Sequence, residues 1–231
     1  MKIFKFQTRE AMVAVLAEKT KYCLKRAIEV RGHASWAVSG GSTPLPLFET
    51  ISTAKIPWSK TYIALVDERC VPISHARSNT AFVQRHLLKS NAAEAVFVPM
   101  RDGAAACTPD YANEHYATMP LPFDRVLLGM GGDGHTASLF PDADGLENAM
   151  DGESAAICAA ITAKKSDTTG DELDRLTLTA AEICRARTID LMITGEEKMR
   201  IFKEAMTVES NSPISRVIRM APEKFEIYWS P

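Results

Sequence analysis

The chain reads as an α/β protein with a mostly parallel sheet and helices on both of its faces. Three observations carry that expectation. Short apolar segments alternate with segments of helical periodicity along the whole chain, which is the trace that successive βα units leave in a sequence. Polar motifs of Gly, Ser, Asp and charged residues follow four of the apolar segments, and ligands of open α/β sheets bind beyond the carboxyl ends of the strands. With 231 residues, 46% of them hydrophobic, the chain is long enough for one sizeable core.

The elements follow in order. Met12 to Ile28 carries Met12, Val15, Leu16, Leu24, Ala27 and Ile28 at helical spacing. Thr8 suits the N-cap and Gly32 the stop. Trp36-Ala37-Val38 is a short apolar strand, and a helix follows from Pro44 to about Ser52, since proline is tolerated in a first turn. Tyr62 to Val66 is a buried strand, Asn79 to Leu88 a helix, Ala95 to Val98 a strand and Pro109 to Thr118 a helix. Phe123 to Leu128 is the next strand. Ile157 to Ile161 and Leu176 to Leu178 are further strands, separated by a polar loop from Lys164 to Asp174. Ala180 to Ala186 is helical, Ile189 to Ile193 a strand, Glu196 to Met206 a helix, and Phe225 to Trp229 a closing strand. This order describes a doubly wound, Rossmann-like arrangement. No repeat or linker divides it, so residues 1–231 are expected to form a single domain.

Composition narrows the function classes. Charged residues make up 24% and the formal net charge is −2, so no basic excess exists to neutralise a nucleic-acid backbone. Met1 to Phe6 runs straight into a polar segment, unlike a signal peptide, and no apolar run reaches membrane-spanning length. Cys23, Cys70, Cys107, Cys158 and Cys184 are scattered, with no C-x-x-C pair. That usage predicts reduced thiols in a cytoplasm, with neither a disulfide frame nor a zinc site.

Four motifs fall at strand ends. Ser39-Gly40-Gly41-Ser42-Thr43-Pro44 joins a strand to a helix. Its glycines permit close backbone approach, the following N–H groups favour an anion, and Ser42 and Thr43 add hydroxyls. It lacks the Gly-Lys-Ser/Thr ending of a nucleotide P-loop. A plain serine-capped helix is the alternative reading. In Asp67-Glu68-Arg69, Arg69 could fork onto a phosphate, where the simpler alternative is a surface ion pair. In Gly195-Glu196-Glu197-Lys198, a lysine in a first helical turn works against the helix dipole, which favours an anion-binding role.

The fourth motif, Gly129-Met130-Gly131-Gly132-Asp133-Gly134, spells G-x-G-x-x-G, the dinucleotide pattern. Its context argues otherwise. It comes more than halfway along the chain, Asp133 would face a pyrophosphate, and Pro141 ends any helix after about one turn. A glycine-built turn presenting Asp133 and His135 fits better: an aspartate orients the imidazole, and a neutral imidazole takes a proton from water.

These residues are similar to one known family. Ser39 to Pro44, Asp67-Glu68-Arg69-x-Val71-Pro72, Ser78-Asn79, Gly131-x-Asp133-Gly134-His135-Thr136-Ala137-Ser138-Leu139-Phe140-Pro141, Arg175 to Thr179 and Gly195-x-x-Lys198 stand in the order found in 6-phosphogluconolactonases. The resemblance covers nearly the whole chain. The related glucosamine-6-phosphate deaminases share the Ser-Gly-Gly and Asp-Gly-His pieces but usually continue into an Asn-Glu-Pro type sequence; here Thr-Ala-Ser-Leu-Phe-Pro follows.

The resemblance implies hydrolysis of 6-phospho-D-glucono-1,5-lactone, the second step of the oxidative pentose phosphate pathway, with no metal and no organic cofactor. It implies His135 as the base, Asp133 as its tuning partner, and Ser39, Gly40, Gly41, Ser42, Thr43, Asp67, Arg69 and Lys198 around the substrate. Ser78, Asn79 and Arg175 are further candidates for substrate contact or loop support. The partner is then a small sugar-phosphate lactone, without nucleic acid or membrane. Two other readings remain open at this point. One is an amino-sugar-phosphate deaminase or isomerase. The other is a sugar-phosphate sensor, which would be expected to carry a DNA-binding module that this sequence lacks.

Overall fold

The computed structural model of the chain describes residues 1–102, 107–166 and 168–231. Strand β1 (Lys2–Lys5) leads into helix α1 (Arg9–Arg31). Thr8 caps α1 by accepting from the Ala11 N–H at 3.2 Å, and Gly32 ends it in the left-handed region at φ 83°. The helix buries Met12, Leu16, Leu24, Ala27 and Ile28, while Val15 faces solvent. Strand β2 (Ala34–Val38), helix α2 (Leu45–Ile51) and strand β3 (Thr61–Leu65) follow, and then a short strand β4 (Asp67–Arg69). Helix α3 (Asn79–His86), strand β5 (Val96–Val98), helix α4 (Asp110–Tyr116) and strand β6 (Arg125–Leu128) complete the first half. Helix α5 (Leu146–Ala149), strands β7 (Cys158–Thr162) and β8 (Asp174–Leu178), helix α6 (Ala180–Arg185) and strand β9 (Ile189–Thr194) come next. Helices α7 (Glu196–Ala205) and α8 (Pro213–Met220) precede the last strand, β10 (Phe225–Ser230).

Seven strands form one parallel sheet in the order β1-β10-β9-β6-β2-β3-β5. Every residue of β2 and β6 is buried. Successive strand side chains point to opposite faces, so helices cover the sheet on both sides. The chain winds outward in one direction from β2 and in the other from β6. The switch point between these two strands is where a ligand is expected.

The segments around Ile157–Ile161 and Leu176–Leu178 are strands, as expected, but not of the main sheet. They become β7 and β8 of a separate antiparallel sheet, ordered β4-β8-β7. Asp67-Glu68-Arg69 follows the end of β3, as expected, and also forms the third strand of that sheet. Strand β1 and helix α8 have no counterpart among the elements read from the sequence. The first is an edge strand of four residues. The second is short but buries Ile214, Val217 and Ile218 at helical spacing, a pattern that sequence reading could have found.

Cys70 and Cys107 face each other with Cα atoms 5.6 Å apart, whereas Cys23, Cys158 and Cys184 stand alone. The partners are 37 residues apart in sequence, and tertiary folding alone brings them together, so spacing carried no trace of the pair.

At the amino-terminal pole of the sheet, Arg125 is buried against Asp190, its Nε donating to Oδ2 at 2.7 Å and its Nη2 to Oδ1. Burial pushes the Asp190 carboxyl up, while the Arg125 charge opposes the shift. Among the described residues no helix is long and apolar enough to cross a membrane.

Candidate active site

The carboxyl ends of β9, β6, β2 and β3, adjacent in the sheet, surround a cavity of about 290 Å³. Ser39, Gly40, Gly41, Ser42 and Thr43 form one wall, Asp67, Arg69 and Asn79 another, and Gly129, Gly131, His135 and Lys198 a third. Of the residues singled out from sequence, Asp133, Ser78 and Arg175 do not line it. Each is attached to a residue or loop beside it.

The glycine-rich stretch after β6 is a compact turn. The His135 N–H bonds Asp133 Oδ1 at 3.1 Å, and the Gly131 N–H bonds the His135 carbonyl at 2.9 Å. His135 Nδ1 lies 2.5 Å from Asp133 Oδ1. An ionised carboxylate accepts there, so Nδ1 carries the hydrogen and Nε2 keeps a free lone pair. Burial raises the Asp133 carboxyl, but the hydrogen bond and charge of His135 outweigh it and hold the group below its ordinary value. The Phe140 ring packs at 4.2 Å from the imidazole. A Cβ on Gly131 would stand 2.0 Å from His135 Nδ1, so this glycine leaves room for the ring. Gly134 turns in the left-handed region at φ 76°. The next helix is α5, beyond Pro141, so no helix N-terminus follows the glycines to hold a pyrophosphate.

The Ser-Gly-Gly loop is braced from behind. Ser39 Oγ donates to the Leu127 carbonyl at 2.7 Å, linking the ends of β2 and β6. Arg9, at the start of α1, donates through Nη2 to the Ser42 and Thr43 carbonyls at 2.7 and 3.0 Å. A Cβ on Gly40 would stand 2.1 Å from Asn79 Oδ1. Asn79 in turn donates Nδ2 to the Asp67 carbonyl at 2.8 Å and to its Oδ1 at 3.1 Å. Ser138 Oγ donates to Asp67 Oδ2 at 2.7 Å, so Asp67 ties the histidine turn to β4.

Two cations face the cavity. Arg69 spends Nη1 on the Arg77 carbonyl at 2.5 Å, while its buried Nε has no partner among the described residues. Lys198, in the first turn of α7, has no carboxylate within 4.0 Å among the described residues. Burial lowers its ammonium, and the Asp133 and Glu197 charges oppose the shift. Arg175 is buried behind the site. It donates to the Glu172 and Thr169 carbonyls at 2.7 and 2.8 Å and lies over the Phe140 ring. Burial pulls its guanidinium down to about 10. It holds the chain at Thr169 and Glu172 and supports the histidine turn through Phe140. Ser78 caps α3 by accepting from the Ala81 N–H. Sequence reading did not single out Arg9, Ser138 or Phe140 as site residues. The last two stand inside the His135 motif, whereas nothing near Arg9 in sequence points to the loop it braces.

An Asp–His pair, a glycine loop and two cations thus meet at the switch point of a parallel sheet. The family model described as glucosamine-6-phosphate isomerases/6-phosphogluconolactonase matches residues 7–229. The chain belongs to that family. A 6-phosphogluconolactonase of Mesorhizobium japonicum is 41% identical over 98% of this chain and 94% of its own length. One from Rhizobium meliloti is 39% identical over 98% and 97%. Among solved structures, a 6-phosphogluconolactonase from Shewanella baltica superposes with a TM-score of 0.92 at 35% identity, covering 100% of this chain and 98% of its own.

Proposed function

We propose that the chain is a 6-phosphogluconolactonase, which hydrolyses 6-phospho-D-glucono-1,5-lactone to 6-phospho-D-gluconate. The observation that carries this reading is the Asp133–His135 pair, held at 2.5 Å at the edge of a cavity that also presents Arg69 and Lys198. A lactone needs a directed water and a proton carrier. His135 Nε2 takes a proton from water as its oxygen bonds to the lactone carbonyl carbon. Collapse of the tetrahedral species breaks the bond to the ring oxygen, and that oxygen takes the proton back from Nε2. Asp133 stabilises the imidazolium between the two transfers. The acid formed ionises and releases one proton to solvent.

Arg69, Lys198 and the Ser39–Thr43 loop supply the charge and donors that a phosphate requires. The reaction asks for no metal or dinucleotide. A charged phosphate ester is held in the compartment that makes it, which fits a cytoplasmic enzyme.

The test is lactone hydrolysis by purified protein, corrected for spontaneous opening, with and without EDTA and NAD or NADP. Acceleration in the absence of additives is expected. A requirement for either a metal or a dinucleotide would overturn the cofactor-free reading. Ammonia release from glucosamine 6-phosphate, without lactone hydrolysis, would replace it with the deaminase reading.

A further inference from the structure

We infer that Glu68 is the positioning residue of the substrate cavity: its carboxylate, which faces away from the cavity, fixes both Arg69 and Asn79 that line it. This inference rests on the proposed sugar-phosphate site. Glu68 is only 2% exposed. Its Oε1 accepts from the Arg69 N–H at 2.7 Å and the Asn79 N–H at 2.8 Å. Its Oε2 accepts from the Thr80 N–H at 2.7 Å and from Ser78 Oγ at 3.2 Å. All four partners are donors, and three are backbone groups. One carboxylate therefore takes up the first N–H groups of α3 and ties that helix to β4.

The consequence reaches the cavity from two sides. Arg69 is the last residue of β4, directly after Glu68, whose Oε1 holds its backbone N–H. Asn79 begins α3 with its own N–H on the same oxygen. The Asn79 amide then sits so close to Gly40 that no Cβ fits between them, and it also holds Asp67. Loosening Glu68 would free the arginine, the amide and the loop wall together. His135 keeps its own hold, the Nδ1–Asp133 contact and the packed Phe140 ring, and Glu68 reaches that turn only indirectly, through Asn79, Asp67 and Ser138.

Glutamine in place of Glu68 keeps the shape, but it sets an NH₂ donor against backbone donors and removes the charge. The experiment measures kcat and KM for the lactone, and calorimetric binding of 6-phosphogluconate and of inorganic phosphate, for wild type, Glu68→Gln and Ser78→Ala. Thermal unfolding is recorded alongside, and assays are run well below each midpoint. For Glu68→Gln, KM and product Kd should rise about tenfold or more while kcat changes little, the signature of lost uniform binding. Ser78→Ala removes one of the four donors and should shift KM in the same direction by less; it serves as the test if Glu68→Gln does not fold. A merely structural Glu68 would lower the unfolding midpoint and leave KM and Kd of the folded protein unchanged, which would overturn the inference. A wild type that neither hydrolyses the lactone nor binds the product would instead overturn the functional reading beneath it.

Discussion

Alanine at Gly131 should disable catalysis without unfolding the protein. Gly131 lies outside the left-handed region, so its backbone accepts a side chain. The new Cβ would stand 2.0 Å from His135 Nδ1, 2.1 Å from Cε1 and 2.6 Å from Asp133 Oδ1. Such contacts relax only near about 3.5 Å, so the imidazole must retreat by roughly 1.5 Å. That breaks its bond to Asp133 and moves Nε2 away from the attacking water. A misplacement of about 1 Å costs on the order of 100-fold in rate, or about 2.7 kcal/mol in the barrier. Gly132 supplies the control. A Cβ there meets nothing closer than Lys198 Nζ at 4.0 Å, so Gly132→Ala should stay near wild type. The assay is initial-rate lactone hydrolysis with spontaneous opening subtracted, alongside thermal unfolding of both variants. A folded Gly131→Ala protein with wild-type turnover would refute the assignment of His135 and of the turn that presents it.

His135→Ala should lower turnover by roughly two to four orders of magnitude, the usual contribution of a positioned acid–base group; calorimetry should find product binding much less affected. Arg69→Ala and Lys198→Ala should each weaken 6-phosphogluconate binding by about 1.5–3 kcal/mol, and unchanged affinity in both would show that the anion site has been misassigned. Because burial lowers the Lys198 ammonium, rising pH strips its charge earlier than for an ordinary lysine. Product affinity should therefore decline on the alkaline side, and Lys198→Arg should abolish that decline; an identical pH profile for the two proteins would count against the role. Asp190→Ala takes the hydrogen-bonded carboxylate from the buried Arg125, leaving it only Glu226 Oε2 at 3.8 Å, and should cost up to about 3–5 kcal/mol in chemical denaturation, with KM unchanged because the pair lies at the opposite pole from the cavity.

Much of the fold was legible because it rests on local rules. Thr8 and Gly32 bound α1 by capping chemistry, and the continuous apolar segments of β2, β3, β6 and β9 mark strands buried on both faces. The four polar motifs could be placed beyond strand ends because a parallel sheet sends all its carboxyl ends to one edge. His135 beside Asp133 on a glycine turn was likewise readable, since two residues of separation guarantee proximity. What stayed hidden depends on contacts across long stretches of chain. Whether β7 and β8 join the main sheet or leave it is a matter of pairing, which periodicity does not encode. The Cys70–Cys107 pair and the Arg9 brace on the Ser42–Thr43 loop bring together residues separated by 37 and by 33 or 34 positions. Ser78 and Arg175 carry the same polar chemistry as Asn79 and Arg69. Only packing decided that the first pair would support the site from behind while the second pair lines it. Residue type and spacing determined which chemistry the chain could offer; burial and long-range hydrogen bonding decided which groups face the cavity.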